Sequence, residues 1–266
     1  MMRSRRLPPM GDILKILFKY RLLPSIFFLK SRADCDHALV LAAMRSHDED
    51  PDRRERRLTR IDELIAAVPH VAEHKQMHYL REHAVGAHHS GQLPVWKLVI
   101  ETLMTEGLLD AVFATSTVAA GVNFPARTIL FLNSDRFNGR DFMPLTATEF
   151  HQMTGRAGRR GMDNIGFCIV IPGRFMDLRL VEALFNAPPT DVFSQIKINF
   201  SMTLNLLLSH SPEQVRELLG KSFAAYQLTH GNRKKDPARE DRPDADILWR
   251  DFLHHLDFLT KRICYR

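Results

Sequence analysis

The feature that most restricts the fold of this chain is an alternation of short β-rich runs with helix-like segments. The runs fall at residues 26–29, 84–88, 111–114, 128–132 and 167–171, and helical patterns stand between them at 33–44, 95–106 and 146–153. Alternation of that kind implies crossover units and predicts an α/β fold with a mostly parallel sheet flanked by helices. Thr146-Ala-Thr-Glu149 is a capping-box pattern, so a helix should begin there and end at Gly155. Asn138-Gly139 predicts a tight turn. The dense charge run over residues 46–57 reads as a solvated loop and helix start.

After Pro172 the pattern changes. Residues 174–186 read as a helix, Pro188-Pro189 breaks it, and residues 196–208 make an amphipathic run. Ser211-Pro212-Glu213-Gln214 has a cap residue, proline at the first helical position and glutamine three residues after the cap. Together these predict a small helical domain. Residues 230–246, rich in Gly, Lys, Asp and Pro, read as a linker, and 247–259 as an apolar-faced helix that ends too soon to make a domain. No internal repeat is found.

A length of 266 residues with 45% hydrophobic content allows one to two domains and an ordinary buried core. The balance of 37 basic against 31 acidic residues favours an anionic partner. No apolar run approaches the roughly 18 residues that span a bilayer. Arg3, Arg5 and Arg6 are followed by Leu-Pro-Pro and not by a signal core, so a soluble, cytoplasmic protein without a membrane partner is expected. Cys35, Cys168 and Cys264 are odd in number and share no close spacing, which argues against a disulfide framework and a zinc site. His70, His74 and His78 stand at i, i+4 and i+8, as on one helix face, but no carboxylate or cysteine completes a ligand set, and a histidine stripe is the reading.

The chemistry is concentrated between His151 and Gly161, His-Gln-Met-Thr-Gly-Arg-Ala-Gly-Arg-Arg-Gly. Arginine keeps its proton and offers a planar fork of donors, so Arg156, Arg159 and Arg160 can stabilise charge on phosphoryl oxygens. Gly155, Gly158 and Gly161 would let the backbone approach closely and take positive φ. The plainer reading is a basic turn that only touches a nucleic-acid backbone.

The spacing Gln152-x-x-Gly155-Arg156-x-Gly158-Arg159-x-Gly161 resembles motif VI of superfamily 2 helicases. The stretch Ala114-Thr-Ser-Thr-Val-Ala-Ala-Gly-Val-Asn-Phe-Pro-Ala126 is similar to motif V, which in that superfamily links nucleotide to nucleic-acid strand. It follows an apolar approach, as at the carboxyl end of a strand, where ligands bind in open α/β sheets. His88-His-Ser-Gly-Gln-Leu-Pro94 and the helix after it resemble the segment before motif V in one branch, the Ski-type, exosome-associated DExH-box RNA helicases. Residues 25–36 resemble motif IV of that branch, and 199–227 its helical region after the motor, so the likeness runs in order over roughly residues 22–228. Ser116 stands where members commonly carry an acidic residue, and Phe124 where many have Leu or Met.

The resemblance implies a second RecA-like motor domain over residues 1–175, a winged-helix-like helical region over 176–229, the linker 230–246, and the start of an incomplete helical segment over 247–266. It implies Arg159 as arginine finger and Arg156 as a second γ-phosphate sensor, with Gln152, Gly121 and Asn123 at the nucleotide. Thr115, His89, Ser90 and Gly91 would meet the strand, and Arg160 is left structural. The implied cofactor is ATP with magnesium. The implied partner is single-stranded nucleic acid, RNA favoured over DNA.

No Gly-x-x-x-x-Gly-Lys-Ser/Thr loop and no Asp-Glu-x-Asp/His box occurs; Gly220-Lys221-Ser222 has Val215 where the first loop glycine belongs and reads as a helix terminus. Magnesium ligands are therefore expected from a first RecA-like lobe, supplied in cis or in trans. Two other readings stay open. One is a lobe of a DNA repair helicase of the related branch; the other is a non-catalytic nucleic-acid-binding or regulatory module.

Overall fold

The computed structural model describes residues 8–44, 49–118, 124–137, 140–194, 196–230 and 245–263. The chain divides into two compact units, residues 1–190 and 191–266.

The first unit runs α1 (Met10–Lys19), β1 (Ser25–Phe28), α2 (Arg32–Ala43), α3 (Pro51–Ala67), α4 (Met77–His83), β2 (Val85–His88), α5 (Pro94–Thr105), β3 (Ala111–Ala114), β4 (Thr128–Phe131), β5 (Asp135–Phe137), β6 (Phe142–Pro144), α6 (Ala147–Thr154), β7 (Phe167–Val170) and α7 (Leu178–Asn186). Five four-residue strands make a wholly parallel sheet in the order β2-β3-β1-β4-β7, each within one residue of its predicted run. β5 and β6 pair as a separate antiparallel hairpin. Its expected turn, Asn138-Gly139, lies outside the described residues.

The three central strands, β3, β1 and β4, read as largely apolar runs because both faces are covered. Phe27, Phe113 and Leu130 meet α1 and α2 on one face. Ile26, Phe28, Val112, Ile129 and Phe131 meet α3, α5, α6 and α7 on the other. Each fully buried side chain of this size contributes about 1.5–3 kcal/mol, so the sheet is the rigid frame that positions everything at its ends. Helix starts follow the local chemistry. Ser31 caps α2 by accepting from the Asp34 N–H at 3.1 Å, Pro94 opens α5, and the Thr146/Glu149 capping box closes at both of its bonds.

Two sequence expectations fail here. The charge run is not all solvated: Arg57 is completely buried and grips Glu49 with both Nη atoms, Nη2 reaching Oε2 at 2.8 Å. Arg53 in turn bonds Asp110 at 2.7 Å, so α3 is fastened to the turn that begins β3. The three histidines do not share a helix. Pro69 starts a short 3-10 turn ending at Glu73, His74 is extended, and only His78 lies in α4.

The helix α7 packs in the first unit, with Val181 and Leu184 in the sheet's core. The second unit holds α8 (Phe200–Leu207), α9 (Pro212–Gly220), α10 (Phe223–His230) and α11 (Ala245–Ile263). Its core is Val215, Leu219, Ala225, Leu248 and Phe252, with α11 packed on the other three helices. Ser211 and Gln214 close the capping box that opens α9, and Gly220 is that helix's last residue. Of the expected linker, residues 231–244 lie outside the described residues. No helix among the described residues is long and apolar enough to cross a membrane.

Candidate functional site

The sequence-derived residues fall at opposite edges of the sheet, about 13 Å apart for four-residue strands. At the carboxyl edge, His88 ends β2 beside Ala114, which ends β3, and the N–H of Leu29 beyond β1 donates to the Ala114 carbonyl at 2.8 Å. The segments carrying His89-Ser90-Gly91, Thr115 and Ser31 thus leave three adjacent parallel strands side by side.

The loop after β2 stands on a polar floor. His89 is buried, its Nε2–H directed to Asp36 Oδ1 at 3.3 Å, while its Nδ1 accepts the Gly91 N–H at 3.1 Å. Those two partners fix the tautomer, because a carboxylate only accepts and an N–H only donates. Gln76 donates to Asp36 at 2.6 Å, Gln92 donates to Gln76 at 3.1 Å, and His74 donates to Gln92 at 3.1 Å while stacking on Trp96 at 3.6 Å. Ser90 and Gly91 remain exposed above this floor, and Arg32, also exposed, passes beside Gly91. Thr115 is buried, and its carbonyl accepts the Val118 N–H at 3.1 Å. His88 packs on Phe124 and meets Glu101 at 2.7 Å; burial pushes its imidazole below the ordinary value although Glu101 pulls it up.

Residues 119–123, and with them Gly121 and Asn123, lie outside the described residues. On their far side Phe124 is buried against His88, and two residues later, at the amino edge, Ala126 forms an isolated parallel bridge with Ala157.

The arginine run occupies this amino edge. The helix α6 carries Gln152 on its exposed face and ends at Gly155, which has φ −62 and is ordinary right-handed helix. The expected positive φ is therefore absent at Gly155 and present at Gly158 (+88) and Gly161 (+78). Gly158 also lies against Gly166: a Cβ on Gly166 would stand 2.4 Å from the Ala157 carbonyl carbon. Arg156 is half-buried and Arg160 exposed.

Arg159 is ordered by a carboxylate that the sequence reading passed over. Asp163 takes Arg159 Nε on Oδ2 at 2.8 Å and Nη2 on Oδ1 at 2.9 Å, and Arg127 Nη1 approaches Oδ1 at 3.2 Å. The Asp163 side chain is wholly buried. Its position four residues after Arg159 is the signal the sequence offers. Two guanidiniums around one carboxylate leave net positive charge at this edge, as an anionic ligand requires. Among the described residues no three His, Cys, Asp or Glu side chains converge as a metal site.

No protein-family model matches the chain. It is 38% identical over 233 residues to the probable helicase HelY of Mycobacterium tuberculosis, covering 84% of this chain and 25% of that protein. It is 34% identical over 232 residues to the exosome RNA helicase MTR4 of Homo sapiens, 82% of this chain and 21% of that protein. With the superkiller complex protein 2 of Mus musculus it shares 32% identity over 229 residues, 82% of this chain and 18% of that protein. The chain spans a quarter or less of the length of these relatives. It belongs to the superfamily 2 helicases. Within them it falls in the Ski-type DExH-box branch.

Proposed function

We propose that the chain acts as the second motor lobe of an ATP-dependent RNA helicase. The observation that carries this reading is the separation of two chemistries on one sheet, strand-facing loops at the carboxyl edge and a cationic, phosphate-suited loop at the amino edge. The donor set fits a triphosphate: Arg159 is held through Nε and Nη2, and its Nη1 edge has no hydrogen-bond partner among the described residues. ATP, when bound, would supply the phosphoryl group transferred to water, with magnesium held by a first RecA-like lobe in cis or in trans. Arg159 would stabilise charge developing on that group, with Arg156 as second sensor and Gln152, Gly121 and Asn123 toward the nucleotide.

Ser90 and Gly91, on the floor built by His89, would meet phosphates and 2′-hydroxyls, with Thr115 beside them on the next strand. RNA is favoured because the human relative is named an exosome RNA helicase. Residues 176–229 are read as the winged-helix-like region, keeping separated strands apart.

The test joins this lobe to a first RecA-like lobe. The chain alone should release no phosphate from ATP; the joined motor should do so when single-stranded RNA is added. Arg159→Ala should then cost on the order of 10³-fold in turnover with RNA binding retained, and Lys should rescue poorly because it lacks the planar fork. Turnover within a few-fold of the parent would remove Arg159 from the role.

A further inference from the structure

We propose that Asp163 is a positioning residue for the arginine loop, clamping the Nε–Nη2 edge of Arg159 so that its Nη1 edge is presented to the phosphoryl group. The proposal rests on the reading of Arg159 as the finger. An unpaired arginine spreads over many rotamers, and ordering it at the moment of reaction costs entropy. Here that ordering is present beforehand. Asp163 accepts the Arg159 backbone N–H at 2.9 Å as well as Nε at 2.8 Å and Nη2 at 2.9 Å, and the Asp163 N–H donates back to the Arg159 carbonyl at 3.0 Å. Main chain and side chain are thus locked by one carboxylate.

The geometry of the fork decides which edge is left over. A carboxylate that takes Nε and one Nη in parallel occupies one side of the guanidinium and leaves the other Nη pointing away. The Arg159 side chain keeps 18% of its surface accessible while that of Asp163 keeps 0%, so the clamp lies inside and the unbonded edge faces out.

Arg127 completes the arrangement. It enters from the segment that returns after residues 119–123, and its Nη1 lies 3.2 Å from Asp163 Oδ1. Part of the carboxylate's charge is answered there, which leaves more of the Arg159 charge for an incoming anion. The contacts with Arg159, its side-chain hydrogen bonds foremost, hold the Asp163 carboxyl below its ordinary range, so the clamp is ionised at neutral pH. A carboxylate in this place could instead hold the finger back from the nucleotide. The two roles predict opposite signs.

The test uses the joined motor and, for one readout, the chain itself. With single-stranded RNA present, Asp163→Asn should lower kcat about ten-fold while KM for ATP stays within about two-fold, the signature of lost orientation and not lost ground-state binding. In an Arg159→Ala background the same substitution should change nothing further. In the chain alone, labelled with nitrogen-15 arginine, the Arg159 Nε–H signal should exchange slowly with solvent, unlike that of exposed Arg160. This last measurement needs no variant and stands even if Asp163→Asn fails to fold.

Asp163→Asn turning over as fast as the parent or faster, with Arg159→Ala slow, overturns the positioning role and leaves the finger standing. Equal losses from Asp163→Asn with and without Arg159 also overturn it, since the carboxylate would then act on the fold. An Arg159 Nε–H as labile as that of Arg160 does the same. Arg159→Ala as fast as the parent overturns the finger reading, and this proposal with it.

Discussion

Ala126 and Ala157 lie side by side as a single parallel bridge: the Ala126 N–H donates to the Arg156 carbonyl at 3.0 Å, and the Gly158 N–H donates to the Ala126 carbonyl at 2.7 Å. Two backbone bonds thereby tie the end of the motif V stretch to the middle of the arginine run. Neither partner needs a special side chain. What the contact needs is room, and Gly166 provides it.

Gly166→Ala is expected to destabilise the chain by about 1–3 kcal/mol, because the added methyl would overlap the Ala157 carbonyl and force the backbone apart. Urea denaturation monitored by circular dichroism checks it. Gly173→Ala, where an added Cβ meets nothing within 4 Å, is the matched control.

Arg57→Ala should cost about 3 kcal/mol or more, since it leaves the Glu49 carboxylate facing a buried hole without its bidentate partner. Arg54→Ala, which removes an exposed partner of Glu82, should leave the urea midpoint nearly unchanged. Equal effects from the two would mean that Arg57 is solvated in solution.

Stability should fall as the medium is acidified below about pH 6.5, the ordinary imidazole value. His74, His83 and His88 are all held below that value, in each case chiefly by burial. The unfolded chain therefore takes up protons first, and stability present above the ordinary value is lost as pH drops toward the lowered native ones. Urea midpoints measured at about pH 7.5 and about pH 5.5 should differ in that direction; a higher midpoint in acid would refute the assignment.

Binding of single-stranded RNA by the chain should be weak, indifferent to sequence and steeply weakened by salt, because phosphates and 2′-hydroxyls are what the carboxyl-edge loops can reach. Fluorescence anisotropy across a salt series is the measurement. Affinity that ignores salt, or that follows one sequence, would be incompatible with that edge as the interface.

The parts of this fold that were legible in sequence are those decided locally. Each doubly covered strand is a short apolar run, and Thr146/Glu149 and Ser211/Gln214 announce their helices because a capping box is a contact between residues three apart. What stayed hidden depends on partners far along the chain or on exact backbone angles. Arg57 looked solvated because its neighbours are charged, whereas its burial comes from a helix laid against distant segments, including the Arg81 carbonyl at 3.2 Å. The histidine spacing was helical, but Pro69 and the extended His74 break the helix. The arginines were found by their glycines, but Asp163 gains its meaning only once Gly161 turns the chain back.

The two-edged sheet has a mechanical consequence. Its central strands are only four residues long and packed on both faces, so along them the arginine loop and the strand loops are joined through a short, close-packed core. On the proposed reading, a pull exerted at one edge arrives at the other undamped, and the lobe would work as a stiff crank whose stroke is set by how it swings against its companion and not by any give within itself.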